Sequence, residues 1–217
     1  MHATQARNMA LGQLITNSIR DPRVLEAMKH IPREMFVPES LSGSAYADED
    51  LPISGDRYLL APLTFAKLIA YARITRGCRV LNVGALAGYT AAVIARLASH
   101  VVATETDEEL AEYMQESMEQ LDIRNVSVHE VKNLADGYPS SAPYDVIVID
   151  GGIQKISGRL TSQLALNGRL VAVRVIAKRP DAPGGMGRGI VVQRQHDHFY
   201  TTEHFDAPAV VLPGFSD

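Results

Sequence analysis

Residues 79–97 read RVLNVGALAGYTAAVIARL, and three kinds of local pattern succeed one another within them. Val80, Leu81 and Val83 make a short, branched apolar run of the length expected of a buried strand. Gly84 breaks that run and Gly88 follows four positions on, after which Ala91, Val93, Ile94 and Leu97 recur at helical spacing. Strand, glycine turn and helix in this order are how a doubly wound α/β sheet builds a ligand site. The helix N-terminus turns unpaired N–H groups and the positive end of its dipole toward the strand tips. Working outward, Val101–Glu105 (VVATE) is a second apolar run, and its closing acid stands 21 positions after Gly84. Sheets of this kind place a ribose-binding carboxylate about 20 residues on.

The glycines do not follow the dinucleotide pattern G-x-G-x-x-G, since Leu86 and Tyr89 stand where its second and third glycines belong. The S-adenosylmethionine loop, an acid two residues before G-x-G-x-G, is the closer template. Against it the chain keeps Gly84 and Gly88 but carries Asn82 for the acid and Leu86 for the middle glycine. A plain strand–helix turn is the competing reading.

The remaining composition narrows the classes. The chain has 217 residues, 46% hydrophobic and 21% charged, which predicts one globular domain with a full core. A net charge of −4 carries no basic footprint for nucleic acid. The single cysteine, Cys78, allows no intrachain disulfide. The first residues, MHATQARNMALGQLITNSI, lack the apolar core of a signal peptide, and no run approaches the ~20 apolar residues of a membrane span. A soluble cytoplasmic protein without membrane contact is the expectation.

Along the chain, Leu11, Leu14, Ile15 and Ile19 share one face of a helix predicted over 3–19. Asp21 and Pro22 predict the N-cap and first position of a second helix, with Val24, Leu25 and Met28 inward. Residues 37–56 are polar and rich in Ser, Gly, Pro and Asp, predicting a long irregular segment. Pro62 opens a third helix with Leu63, Ala66, Ile69 and Ala70 on a common face. Asp107–Leu121 reads as an acidic-surfaced helix, 125–131 as a strand, and Tyr144–Ile149 as a central parallel strand ending at Asp150. Leu160 and Leu164 predict a short helix before a strand over 168–173. After the loop RPDAPGGMGRG, strands over 189–195 and 199–205 predict an antiparallel edge. The glycines of that loop are not followed by a P-loop Lys-Ser/Thr pair, and His196, His198 and His204 lack metal-ligand spacing, so no metal site is assigned.

In this order the chain resembles the protein-L-isoaspartate O-methyltransferase family from about residue 8 to 175. The likeness rests on Asp21-Pro22-Arg23-Val24-Leu25, on the run Ile31 to Pro38 (IPREMFVP) and on Ala45-Tyr46-Ala47-Asp48. It continues through Val80-Leu81, Val83-Gly84, Gly88-Tyr89, Gly137-Tyr138-Pro139, Ala142-Pro143-Tyr144-Asp145, Gln163-Leu164 and Gly168-Arg169-Leu170-Val171. The resemblance implies a single domain over 1–217. Within it, N-terminal helices and a substrate-side loop span 1–61, a Rossmann-like S-adenosylmethionine-type core spans 62–175, and a small antiparallel C-terminal addition spans 176–217. It also implies S-adenosylmethionine as cofactor, held by Gly84, Ala85, Leu86, Gly88, Glu105, Asn133 and Leu134. The implied substrate is an isoaspartyl-containing peptide or protein, methylated on its abnormal carboxylate in repair; oligomeric state is not implied.

The attacking carboxylate is ionised at neutral pH, so the chemistry asks for placement more than for acid or base groups. Here the sequence departs from the family pattern. Leu60 occupies the family's serine position and can neither donate nor accept through its side chain. Asn82, Leu86 and Asn133-Leu134 replace the motif acid, the middle glycine and an Asp-Gly pair, while Glu105 is retained. These changes predict weak S-adenosylmethionine binding. Three functions follow: an isoaspartyl-class carboxyl methyltransferase, a methyltransferase with another acceptor using Tyr58 or Asp150, or a non-catalytic protein that kept the fold.

Overall fold

The computed structural model describes residues 2–179 and 183–216. A seven-stranded sheet has the order β5-β4-β3-β6-β7-β8-β9. Its strands are β3 (Arg79–Val83), β4 (His100–Glu105), β5 (Val126–Glu130), β6 (Tyr144–Ile153), β7 (Leu164–Lys178), β8 (Gly185–Gln195) and β9 (His198–Ala209). Strands β3 to β7 run parallel, and β8 and β9 add an antiparallel edge. The order reverses between β3 and its neighbours β4 and β6, which makes the carboxyl ends of these three strands the switch point where α/β sheets place their ligands.

Helices α1 (His2–Met9), α2 (Pro22–His30), α3 (Pro62–Ala72), α4 (Tyr89–Ala95), α5 (Glu108–Gln120) and α6 (Gly158–Thr161) complete the fold, with a small hairpin of β1 (Leu51–Ser54) and β2 (Arg57–Leu59). Asp21 caps α2 by accepting from the Arg23 amide, and Asp107 caps α5 by accepting from Leu110. α4 is buried at every position because it packs behind the central strand, whereas the glutamates of α5 face solvent around a stripe of Ala111, Met114 and Met118.

Several local expectations are corrected. The first predicted helix changes to π-helical winding over Ala10–Ile15, which turns Leu11 outward to 50% exposure and leaves Leu14 and Ile19 buried. The segment 37–56 is not one irregular loop. It holds a 3₁₀ turn over Glu39–Ser44 and the strand β1, and Gly55 at φ +51 makes the bend into β2. Leu164 begins β7 rather than ending a helix. Gly185, Gly187 and Gly189 lie within β8, where the residues opposite leave no room for a Cβ, so only part of the predicted glycine loop remains a loop; 180–182 lie outside the described residues.

Candidate functional site

The turn from β3 into α4 carries the first group of expected binding residues. Gly84 has φ +74, Leu86 +53 and Gly88 +103, so three of five consecutive residues take the left-handed region. For Leu86 that conformation costs about 1–2 kcal/mol. Its side chain is 1% exposed in the apolar cluster that includes Leu51, Leu59 and Leu60, and burial of this kind offsets the strain by about 1.5–3 kcal/mol.

Four of the turn's amides are spent within the chain. Gly84 and Ala85 donate to the Thr104 carbonyl at 2.9 and 3.1 Å, Leu86 donates to Glu105 Oε2 at 2.9 Å, and Gly88 donates to Ala85 at 2.9 Å. Glu105, fully buried at the end of β4, is likewise saturated. Arg57 approaches it with both terminal nitrogens, Nη1 to Oε1 at 2.5 Å and Nη2 to Oε2 at 2.8 Å, and the Thr106 amide adds a bond of 2.7 Å. Arg57 Nη2 also reaches the Gly84 carbonyl at 3.2 Å. A planar guanidinium suits this two-point geometry, and the charges cancel out of reach of water.

Residues 210–215 close the site from above. Val210 accepts from the Gly152 amide at 2.8 Å, Leu212 donates to the Gly152 carbonyl at 2.9 Å, and Phe215 accepts from Gln154 at 2.9 Å. The Leu212 side chain comes within 3.0 Å of the Cβ position of Gly84 and 2.6 Å of that of Gly151. Leu134 reaches within 3.3 Å of the Gly84 position from the side. Asn133 caps its own turn by accepting from the Ala135 amide at 3.1 Å, and Gly214 packs against its Oδ1.

The second face of the edge is polar and incompletely bonded. Asp150, Asn82 and Thr90 are fully buried, and Thr90 Oγ1 lies 2.6 Å from Asp150 Oδ2 and 2.9 Å from Asn82 Oδ1. One hydroxyl proton cannot serve two acceptors. A protonated Asp150 donating to Thr90, with Thr90 donating to Asn82, satisfies both contacts. Burial pushes the Asp150 carboxyl up to about 7, against the Thr90 hydrogen bond and the positive charges of Arg57 and Arg33. Asp150 Oδ1 and Asn82 Nδ2 are buried without a hydrogen-bond partner among the described residues, while Arg33 and the Tyr89 hydroxyl face each other. Arg33 sits over the Tyr89 ring at 4.7 Å and donates to the carbonyls of Ala45 at 2.7 Å and Leu60 at 2.6 Å, and its burial lowers its pKa.

The expected positions therefore converge on one edge, but their arrangement differs from the expectation. S-adenosylmethionine does not fit the cleft as the chain fills it. The ribose carboxylate holds Arg57, the loop amides hold Thr104 and Glu105, and the space above Gly84 holds Leu212 and Leu134. Leu60 is 1% exposed and contributes its carbonyl to Arg33 rather than a side chain to the cleft. Tyr58 lies in register with Pro52 on the hairpin, and no hydrogen bond joins it to Asp150 among the described residues. Sequence reasoning missed Arg57, Thr90 and Leu212. Arg57 lies in a polar turn without a motif; the only hint of Leu212 was the apolar run Val210-Val211-Leu212 after the last predicted strand.

Among the described residues no helix is long and apolar enough to cross a membrane, and no group of three or more His, Cys, Asp or Glu is placed to hold a metal. A solved protein-L-isoaspartate O-methyltransferase superposes on the whole chain and 67% of its own, with a TM-score of 0.81 at 21% identity. A second, from Plasmodium falciparum in complex with S-adenosyl-L-homocysteine, covers 98% of each chain with a TM-score of 0.72 at 19% identity. These two establish the fold. In sequence, protein-L-isoaspartate O-methyltransferase 1 of Rhodopseudomonas palustris is 38% identical over 78% of this chain and 69% of its own. The corresponding protein 2 of Anaeromyxobacter is 36% identical over 97% and 83%. A family model, protein-L-isoaspartate(D-aspartate) O-methyltransferase, matches residues 5–178. The chain belongs to that family.

Proposed function

We propose that the chain is a protein carboxyl methyltransferase acting on isoaspartyl-containing proteins, and that the closed cleft is its cofactor-free form. The observation that carries this reading is the family match over residues 5–178, which spans the hairpin, the glycine turn, Glu105 and the Asp150 edge together. The reading includes a cytoplasmic location, supported by Cys78 being the single cysteine.

The acceptor in such a reaction is a carboxylate that must lose water and still be held, and losing water without a replacement partner costs several kcal/mol. The Leu60 side chain, buried and aliphatic, offers no such partner. A charged group on the same side is Arg33, which donates to the Leu60 carbonyl. A buried guanidinium is suited to a carboxylate.

Transfer of labelled methyl from S-adenosylmethionine to an isoaspartyl peptide, with the aspartyl peptide as control, tests the reading. The expected result is slow, isoaspartyl-dependent incorporation that rises in Leu60→Ser. Absence of incorporation in both proteins, with S-adenosyl-L-homocysteine bound, contradicts it. A second reading, a non-catalytic member, is favoured by the saturation of Glu105. It expects no incorporation even when the cleft is opened.

A further inference from the structure

The groups that fill the cleft come from two distant parts of the chain, and each stands on a position where the resemblance calls for an adenosyl ligand. Arg57 presents two parallel N–H groups to Glu105, the same donor count that a ribose diol would present. Leu212 supplies apolar bulk over Gly84 and Gly151. Gly214, at φ +84, brings the backbone against Asn133. We propose that residues 210–215 and Arg57 form a built-in plug that holds the cleft shut and must withdraw before an adenosyl ligand enters. The proposal rests on the reading above that such a ligand is the chain's cofactor.

Two further observations point to a fitted plug rather than accidental packing. First, glycines make room for it. A Cβ at Gly151 would lie 2.6 Å from Leu212, and one at Gly152 would lie 2.8 Å from the Val210 carbonyl. Second, its attachment is light. One isolated bridge, Gly152 to Val211, and a few backbone hydrogen bonds tie it to the end of β6, beyond the regular pairing of β8 with β9. Its withdrawal therefore leaves every ladder of the sheet intact. What holds it is apolar: Leu212 is 4% exposed and Phe215 1%, in the cluster with Leu134, Ile149 and Leu160.

A ligand that binds only the open form is weakened by the open fraction, so shifting that fraction shifts the apparent affinity. The probe is S-adenosyl-L-homocysteine, titrated calorimetrically into the full chain. Three variants open the cleft by different routes: Leu212→Ala trims the plug, Gly151→Ala pushes against it, and Leu212→Ala with Arg57→Gln also frees Glu105. A cooperative thermal melt selects the folded ones. The plug predicts that each folded variant binds about tenfold or more tightly than the unmodified chain, the double variant most. Equal affinity in all proteins overturns it, because nothing then gates entry. Failure of every folded variant to bind also overturns it, because the plug is then not what excludes the ligand. Variants that bind but transfer no methyl to an isoaspartyl peptide leave the plug standing and remove the proposed activity.

Discussion

Two buried carboxylates stand on the strands that flank β3, and the chain treats them in opposite ways. Glu105, at the end of β4, receives both nitrogens of Arg57 and the amides of Leu86 and Thr106. Asp150, in β6, shares one hydroxyl with Asn82 and leaves an oxygen without a partner. Both are fully buried. Burial alone therefore does not define a site. Glu105 is part of a neutral, closed pair, and a ligand gains it only by displacing Arg57. Asp150, whose pKa burial pushes up to about 7, exchanges its proton near neutral pH.

The largest effect is expected at Arg57. Arg57→Ala leaves Glu105 buried and uncompensated, and removing one partner of a buried pair costs about 3–5 kcal/mol. Adding Glu105→Gln should recover part of that loss. Urea unfolding of the two variants checks the loss and its recovery; a loss under about 1 kcal/mol in Arg57→Ala, the range of an exposed pair, would show that water reaches Glu105.

The next effect belongs to Asp150 and has a definite sign. Its folded pKa lies above the ordinary value, so the folded state binds the proton more tightly than the unfolded chain. Its stabilising contribution is full below about pH 4 and is lost as pH rises toward about 7. Asp150→Asn removes this dependence. Relative to wild type it should gain about 2–3 kcal/mol between pH 5 and pH 8. Parallel unfolding curves across that range would place Asp150 among ordinary, ionised carboxylates.

Smaller effects sharpen the picture of the closed edge. Leu212→Ala should cost about 2 kcal/mol, at the low end for a buried leucine, because the vacated space adjoins a loosely tied segment. Leu86→Gly relieves a strained φ but loses a buried side chain, and the two nearly cancel to a net loss of about 1 kcal/mol. A gain in stability from Leu86→Gly would mean that its side chain packs less well than its burial indicates.

Much of the architecture was legible because it is written locally. The apolar runs at 80–83, 101–105 and 144–149 give strands by length and branching, and Asp21, Pro22 and Pro62 mark helix starts by their chemistry. Expectations failed where the deciding contact is remote. Leu11 and Leu14 look alike in a helical pattern, and only the π-helical turn separates them. The glycines of β8 read as a loop, since their need comes from Arg174, Val175 and Ala177 on the neighbouring strand and from Phe205 on β9. The site shows the same division. Gly84 and Glu105 were visible as strand-end residues, whereas Asp150, expected at the end of its strand, lies inside β6, which runs on to Ile153; Arg57 reaches Glu105 across 48 positions, and Leu212 arrives at Gly84 from the far side of the antiparallel edge. Nothing in a local window encodes such a meeting.

The most direct test of the self-filled cleft follows the amides of Gly84, Leu86 and Leu212 in the isotope-labelled, unmodified chain by NMR during titration with S-adenosyl-L-homocysteine. These three amides report the turn, the Glu105 contact and the plug in one spectrum. The account predicts that all three stay unperturbed at micromolar ligand, and that the Leu86 amide, shielded by Glu105, exchanges slowly with solvent. Saturable shifts of Gly84 and Leu86 at micromolar ligand, with Leu212 unmoved, would contradict it.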